Sequence, residues 1–188
     1  MSQIRTTEAL ERAIERVTKA VKQIDNDHAY IHKGGLFSVF IRNTLATNVD
    51  RYISIVTPNG NDAKYVHYRN ERVMSSGDKV SIELFEDATV EADTGTEKTP
   101  INHRRVNSHN PTVTVRDGVT VTNEGTLINQ SFIGGGTGQG QARSGEETSD
   151  KNEYILKQGA TYIVKITNLS DADNVIQCNP LWYEEDEG

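Results

Sequence analysis

Several groups of residues in this chain have the types and spacing that chemistry needs. His28 and His32 stand four apart, which on a helix turns two imidazoles toward one metal ion. Asp27 and Gly34 bracket them where a helix should be closing, and no Glu lies between them in the metalloprotease pattern, so they read first as a surface and a corner residue. The run Gly134-Gly135-Gly136-Thr137-Gly138-Gln139-Gly140 lets backbone amides approach an anion. A phosphate loop also needs a helix start behind the glycines and a Lys before Ser or Thr, and residues 141–152 supply neither. Glu83, Glu86, Asp87, Glu91 and Asp93 are the raw material of a glycosidase acid/base pair. With 27 Asp and Glu in 188 residues some must cluster, and Glu83 should point to solvent from a strand whose core face is Val80, Ile82 and Leu84. His67, His103 and His109 occur singly, with no Ser or Cys in a nucleophile's setting. No catalytic, cofactor-binding or metal-ligating residue is assigned, and the chain is expected not to be an enzyme.

Two further groups suit binding rather than reaction. The segment Lys98–Ser108 is long and polar and holds adjacent Arg104 and Arg105, followed by Asn107, in an acidic chain. Arginine's planar fork suits contacts with carboxylates of another chain. The same segment also reads as an ordinary solvated loop or a ligand site. Trp182-Tyr183 is the other group, the only tryptophan beside a tyrosine. It either anchors on a partner surface or caps the chain's own core.

The elements that must position these residues divide the chain in two. Leu10, Ile14, Val17, Val21 and Ile24 alternate spacings of four and three, a heptad seam supported by Glu8–Arg12 and Glu15–Lys19 pairs. This predicts an amphipathic helix over 7–27, with Thr6 or Thr7 as cap and Asp25-Asn26-Asp27 as its end, inside an arm of residues 1–33. Its stripe must dock on the β body or on another chain, and the β-branched seam leans toward three strands. Residues 34–183 read as a β domain, a jelly roll or β-sandwich. Candidate strands recur about every ten residues: Phe37–Ile41, Tyr52–Val56, Lys64–Tyr68, Lys79–Phe85, Thr112–Arg116, Val119–Asn123, Glu153–Leu156, Ala160–Thr167 and Val175–Cys178. Around Asp117-Gly118, a three-residue loop would pair Val115 with Val119 and Val113 with Val121, putting the valines on one buried face and the threonines on the other, with Gly118 left-handed. Residues 133–152 cannot build core and are expected as a surface excursion that orders against a neighbour. Residues 184–188 are expected as a solvated acidic tail.

Composition narrows the function classes. A formal charge of −7, from 20 Lys and Arg against 27 Asp and Glu, argues against direct contact with nucleic acid or an anionic membrane and in favour of protein partners. The single cysteine, Cys178, excludes an intrachain disulfide and reads as a small buried hydrophobe. With no apolar run of secretory type after Met1-Ser2-Gln3, a reducing cytosol is the expected site of maturation.

The order of segments also resembles virion structural proteins of tailed bacteriophages. The resemblance runs over about residues 35–168. It rests on Gly95-Thr96, the run Pro100–Ser108, Thr112–Val115 with Gly118–Val121, Glu124–Leu127, a glycine-rich stretch, and Glu153–Lys157 followed by Thr161–Thr167. Where those proteins carry an Asn-Arg repeat, this chain has Asn102-His103-Arg104-Arg105. The resemblance implies a non-catalytic capsid decoration or cement protein on the virion surface, assembled in the bacterial cytoplasm. Its partners would be the major capsid protein and copies of itself, a trimer being favoured. The interface residues expected are Leu10, Ile14, Val17, Val21 and Ile24 of the arm, Arg104, Arg105 and Asn107 of the polar run, and Trp182 and Tyr183. A tail or baseplate component that binds carbohydrate through a jelly roll is the alternative.

Overall fold

A computed structural model of the chain describes residues 26–60, 64–77, 79–106, 109–134, 143–145 and 153–186. The heptad residues Leu10 to Ile24 and Asn107 lie outside that set. The described part is mainly β. One helix, α1 (Asn26–Lys33), leads into β1 (Leu36–Ser38), β2 (Ile41–Leu45), β3 (Asp50–Val56), β4 (Tyr65–Ser75) and β5 (Val80–Glu86). Short strands follow: β6 (Thr89–Val90), β7 (Thr96–Lys98), β8 (Ile101–Asn102), β9 (Thr114–Asp117) and β10 (Val121–Asn123). The chain closes with β11 (Thr126–Ile133), β12 (Arg143–Gly145), β13 (Tyr154–Leu156), β14 (Thr161–Asn168) and β15 (Asn174–Glu185).

Helix α1 begins where the sequence predicted a helix to end. The stop signal of this helix is Gly34, and the predicted helix before Asn26 lies outside the described residues. Gly34 adopts φ 78°, its amide donates to the Ile31 carbonyl at 3.0 Å, and the Gly35 amide donates to the Tyr30 carbonyl at 2.9 Å. That pair of bonds is a Schellman cap, which needs a left-handed residue at Gly34. Residues 26–33 therefore belong to the body.

All ladders are antiparallel. One sheet runs β12–β4–β15–β1–β8, with β13 also on β4 and β2 also on β15. A second runs β11–β5–β14–β3–β9–β7, and β6 pairs with β10 separately. Eight strands form four nested ladders, β2 with β15, β3 with β14, β4 with β13 and β5 with β11, which the β4–β15 and β5–β14 ladders join into the two sheets. Counted along the chain, the first of these pairs with the last, the second with the seventh, the third with the sixth and the fourth with the fifth. A single long hairpin folded over on itself produces that nesting.

Alternation decides the faces. Phe37, Ile41, Val66, Tyr68, Val73, Ile176, Cys178 and Trp182 of the first sheet join Ile53, Ile55, Val80, Ile82, Leu84, Val115, Tyr162, Val164 and Ile166 of the second in one buried cluster. Each such side chain contributes about 1.5–3 kcal/mol by leaving water. The Cys178 thiol is among them, as expected. Phe85, Val119 and Ile163 form a smaller cluster on the opposite face of the second sheet, roofed by Val90 and Val121 of the β6–β10 pair.

The expected valine hairpin does not form. β9 pairs with β3, Ile55 opposite Val115, and with β7, Lys98 opposite Val115. β10 pairs with β6. Val113 and Val115 enter the main cluster while Val119 enters the smaller one, so the valines serve two faces instead of one. Gly118 is left-handed as predicted, φ 76°.

Residues 87–125 form an excursion between β5 and β11 that crosses to the far side of the molecule. There β9 extends the second sheet and β8 extends the first beside β1. β15 is longer than expected: Pro180 lies within it beside a register shift, a position that spares the missing amide. Glu184 and Glu185 belong to this strand, which corrects the expected tail. The Glu184 carboxylate is buried and accepts from the amides of Thr112 and Val113, the Thr112 hydroxyl and the Trp182 indole, bonds that replace its hydration.

Candidate interaction surface

Two neighbouring features on the outer side of the first sheet carry Tyr183, Arg104 and Arg105, three of the four predicted site residues that lie among the described residues. The first is a corner where α1, β4, β13 and β15 meet. Val66 and Tyr68 point inward, so His67 points outward; Trp182 points inward, so Tyr183 points outward. The Tyr183 ring stacks on His67 with centroids 4.3 Å apart and on Tyr30 of α1 at 3.7 Å. Carboxylates flank this three-ring stack. His67 Nδ1 lies 2.8 Å from Glu153 and its Nε2 lies 2.8 Å from Glu185. The Tyr183 hydroxyl donates to Glu153 at 2.5 Å and the Tyr30 hydroxyl to Glu185 at 2.6 Å.

A neutral imidazole has one N–H, so bonding a carboxylate at each nitrogen takes a second proton on the ring or on an oxygen. Burial pushes the Glu153 carboxyl up, but the Tyr183 hydroxyl, His67 and Arg69 together outweigh it and hold it below the usual range. Burial raises the Tyr183 phenol, and Glu153 raises it further. Tyr30 is raised by burial and by Glu185. The donors and acceptors satisfy one another, and the cluster ties α1, the strand after the glycine-rich stretch and the last strand into one latch. Beside it opens a groove of about 280 Å³ lined by Tyr30, Lys33, Lys64, His109, Glu185 and Asp186 among others.

The second feature is the polar run. Its Asn102 is buried and acts as a staple: Nδ2 donates to the Gly34 carbonyl at 2.8 Å and the His109 carbonyl at 3.1 Å, and Oδ1 accepts from the Arg104 amide. Arg104 is half-buried, packed where a Cβ on Gly34 would intrude. Arg105 is exposed. Ser38 lies opposite both Leu181 and Ile101, so these three share the outer face. Ile101 is 46% exposed, Phe40 55% and Val106 71%. Apolar side chains this open beside an exposed arginine are what a protein contact uses.

The expected residues thus divide. Arg104 and Arg105 lie in one segment with the exposed Ile101 and Val106. Trp182 and Tyr183 are 1% and 4% exposed. Trp182 stacks on Phe37 in the core, and Tyr183 is covered by Tyr30 on the outer side of the sheet, so both are buried in the isolated chain. Sequence reasoning missed Tyr30, His67, Glu153 and Glu185, which only the strand pairing brings together. Of the clustered acids, Glu86 and Asp87 pair with Lys157 at 2.7 and 2.8 Å, and Glu83 accepts from Gln130. Among the described residues no group of three or more His, Cys, Asp or Glu side chains converges on a metal-sized space, and no helix is long and apolar enough to cross a membrane.

The chain matches no protein-family model and no curated protein in sequence.

Proposed function

We propose that this chain is a structural virion protein of a tailed bacteriophage, a capsid decoration or cement protein with a jelly-roll body that holds the shell exterior through protein–protein contacts. The observation that carries the reading is the nested pairing of β2 with β15, β3 with β14, β4 with β13 and β5 with β11, the order of a jelly roll, a fold that viral shells use repeatedly. It agrees with the resemblance in segment order to virion proteins. The acidic balance, −7 in formal charge, suits an outer surface rather than one facing packaged DNA. In this reading the body associates with copies of itself about a local symmetry axis. The polar excursion offers Ile101, Val106 and Arg105 to the shell, and the N-terminal arm reaches adjacent subunits.

The test is to heat shells of the major capsid protein encoded with this chain, with and without the purified full chain, and follow disassembly by light scattering. Cementing raises the disassembly temperature. An unchanged temperature together with binding on a glycan array would replace the reading with a carbohydrate-binding tail component.

A further inference from the structure

We propose that His28 and His32 form a bidentate site for a divalent transition-metal ion, Ni²⁺, Cu²⁺ or Zn²⁺, on the outer side of α1. Their Nε2 atoms lie 3.0 Å apart in a hydrogen bond from one imidazole to the other, with ring centroids 4.5 Å apart and the rings inclined at 70°; a metal ion would replace the shared proton. Both side chains are exposed. At 3.6 residues per turn, positions two before and two after Tyr30 lie within about 20° of the point diametrically opposite it. Tyr30 is the residue that pins the helix, stacked on Tyr183 at 3.7 Å and bonded to Glu185 at 2.6 Å. The imidazoles therefore stand on the solvent side of a helix held from behind and capped at Gly34, so little ordering remains to be done on binding.

The donor type and spacing narrow the ion to the transition metals. With metal–nitrogen bonds of about 2.05 Å, two nitrogens 3.0 Å apart subtend roughly 95° at the metal. That is close to the cis angle of square or octahedral complexes, which Cu²⁺ and Ni²⁺ adopt. A tetrahedral zinc site needs the nitrogens about 0.3 Å further apart, a shift open to two exposed side chains. Imidazole donors do not suit Mg²⁺ or Ca²⁺, which take oxygen. Lys33, the neighbouring cation, has its ammonium over the Tyr30 ring at 5.1 Å, on the body side of the helix and away from the pair. Water fills the remaining positions around the ion.

Calorimetric titration of the chelator-treated full chain with nickel chloride tests this. The expected result is a saturable site that weakens at least tenfold in His28→Gln and in His32→Gln and is unchanged in His109→Gln. Both substituted positions are exposed, so the melting temperature without metal should stay at its original value. Cu²⁺ at substoichiometric amounts should broaden the imidazole NMR signals of His28 and His32 before those of His67, His103 and His109. Nickel binding that is absent, or that persists at full strength in the double variant His28→Gln/His32→Gln, would overturn the assignment.

Discussion

At the level of single residues, charge is taken out of water only where several donors replace it. Asp117 shows this best: its side chain is 3% exposed, Arg51 Nε donates to it at 2.8 Å and Lys98 lies 3.4 Å away. Burial alone would push its carboxyl up, but the Arg51 bond and charge, Asn43 and Lys98 outweigh that and hold it below the usual carboxylate range. A carboxyl with a lowered pKa in the folded state stabilises the fold fully above its unfolded value, about pH 4, and loses that contribution as pH falls through the folded value. Asp117→Asn should thus cost about 1–3 kcal/mol at pH 7 and flatten the loss of stability below about pH 4, read as urea midpoints at pH 7, 4 and 3. Gly118 adds a steric constraint at the same place, since a Cβ there would lie 2.6 Å from the Arg51 guanidinium. His67 bridges two carboxylates. His67→Ala leaves Glu153 and Glu185 facing each other without it, and should lower the unfolding free energy by about 2–3 kcal/mol in urea titration, with faster amide exchange in α1 because Tyr30 loses its ordered partner.

At the level of elements, the structure moves the boundary between arm and body. α1 is tied to the body by the Tyr30 stack and by its Schellman cap, so a cut after Asp25 spares every contact described. Deleting residues 1–25 should leave the melting temperature of the body within a few degrees of the full chain's while removing attachment to shells; loss of folding would mean that the arm belongs to the body's core. Element type was legible where burial alternates or runs unbroken. β3, β5 and β14 read correctly because their apolar residues fall on faces that local pattern reveals. β9 and β10 misled because a Val-Thr alternation around Asp-Gly favours a local hairpin, whereas β3 and β7 offered β9 more distant edges and the β6–β10 pair was needed to roof Phe85 and Ile163. β11 was overlooked because a register shift between Leu127 and Asn129 breaks its alternation. The last two residues of β15, Glu184 and Glu185, read as tail because glutamates argue against a strand unless a set of donors such as the Thr112 and Val113 amides waits for them.

At the level of the whole molecule, the β class was readable from strand spacing, while the latch was not. Tyr30, His67, Glu153, Tyr183 and Glu185 are separated by most of the chain, and no local pattern links them. Their meeting follows from β4, β13 and β15 lying side by side, a consequence of the nested pairing. The arginine pair was legible as an interface candidate because two adjacent fixed charges in an acidic chain are conspicuous, but its apolar companions Ile101 and Phe40 emerge only once β8 is set beside β1. The nested sheets and an outer face with exposed Ile101, Phe40 and Val106 fit the proposed component, one that works by holding other chains. The most direct measurement is co-sedimentation of the purified full chain with empty shells of the major capsid protein encoded beside it. Saturable binding in a fixed ratio to capsid subunits is expected. A chain that stays in the supernatant at every shell concentration, though folded, would contradict it.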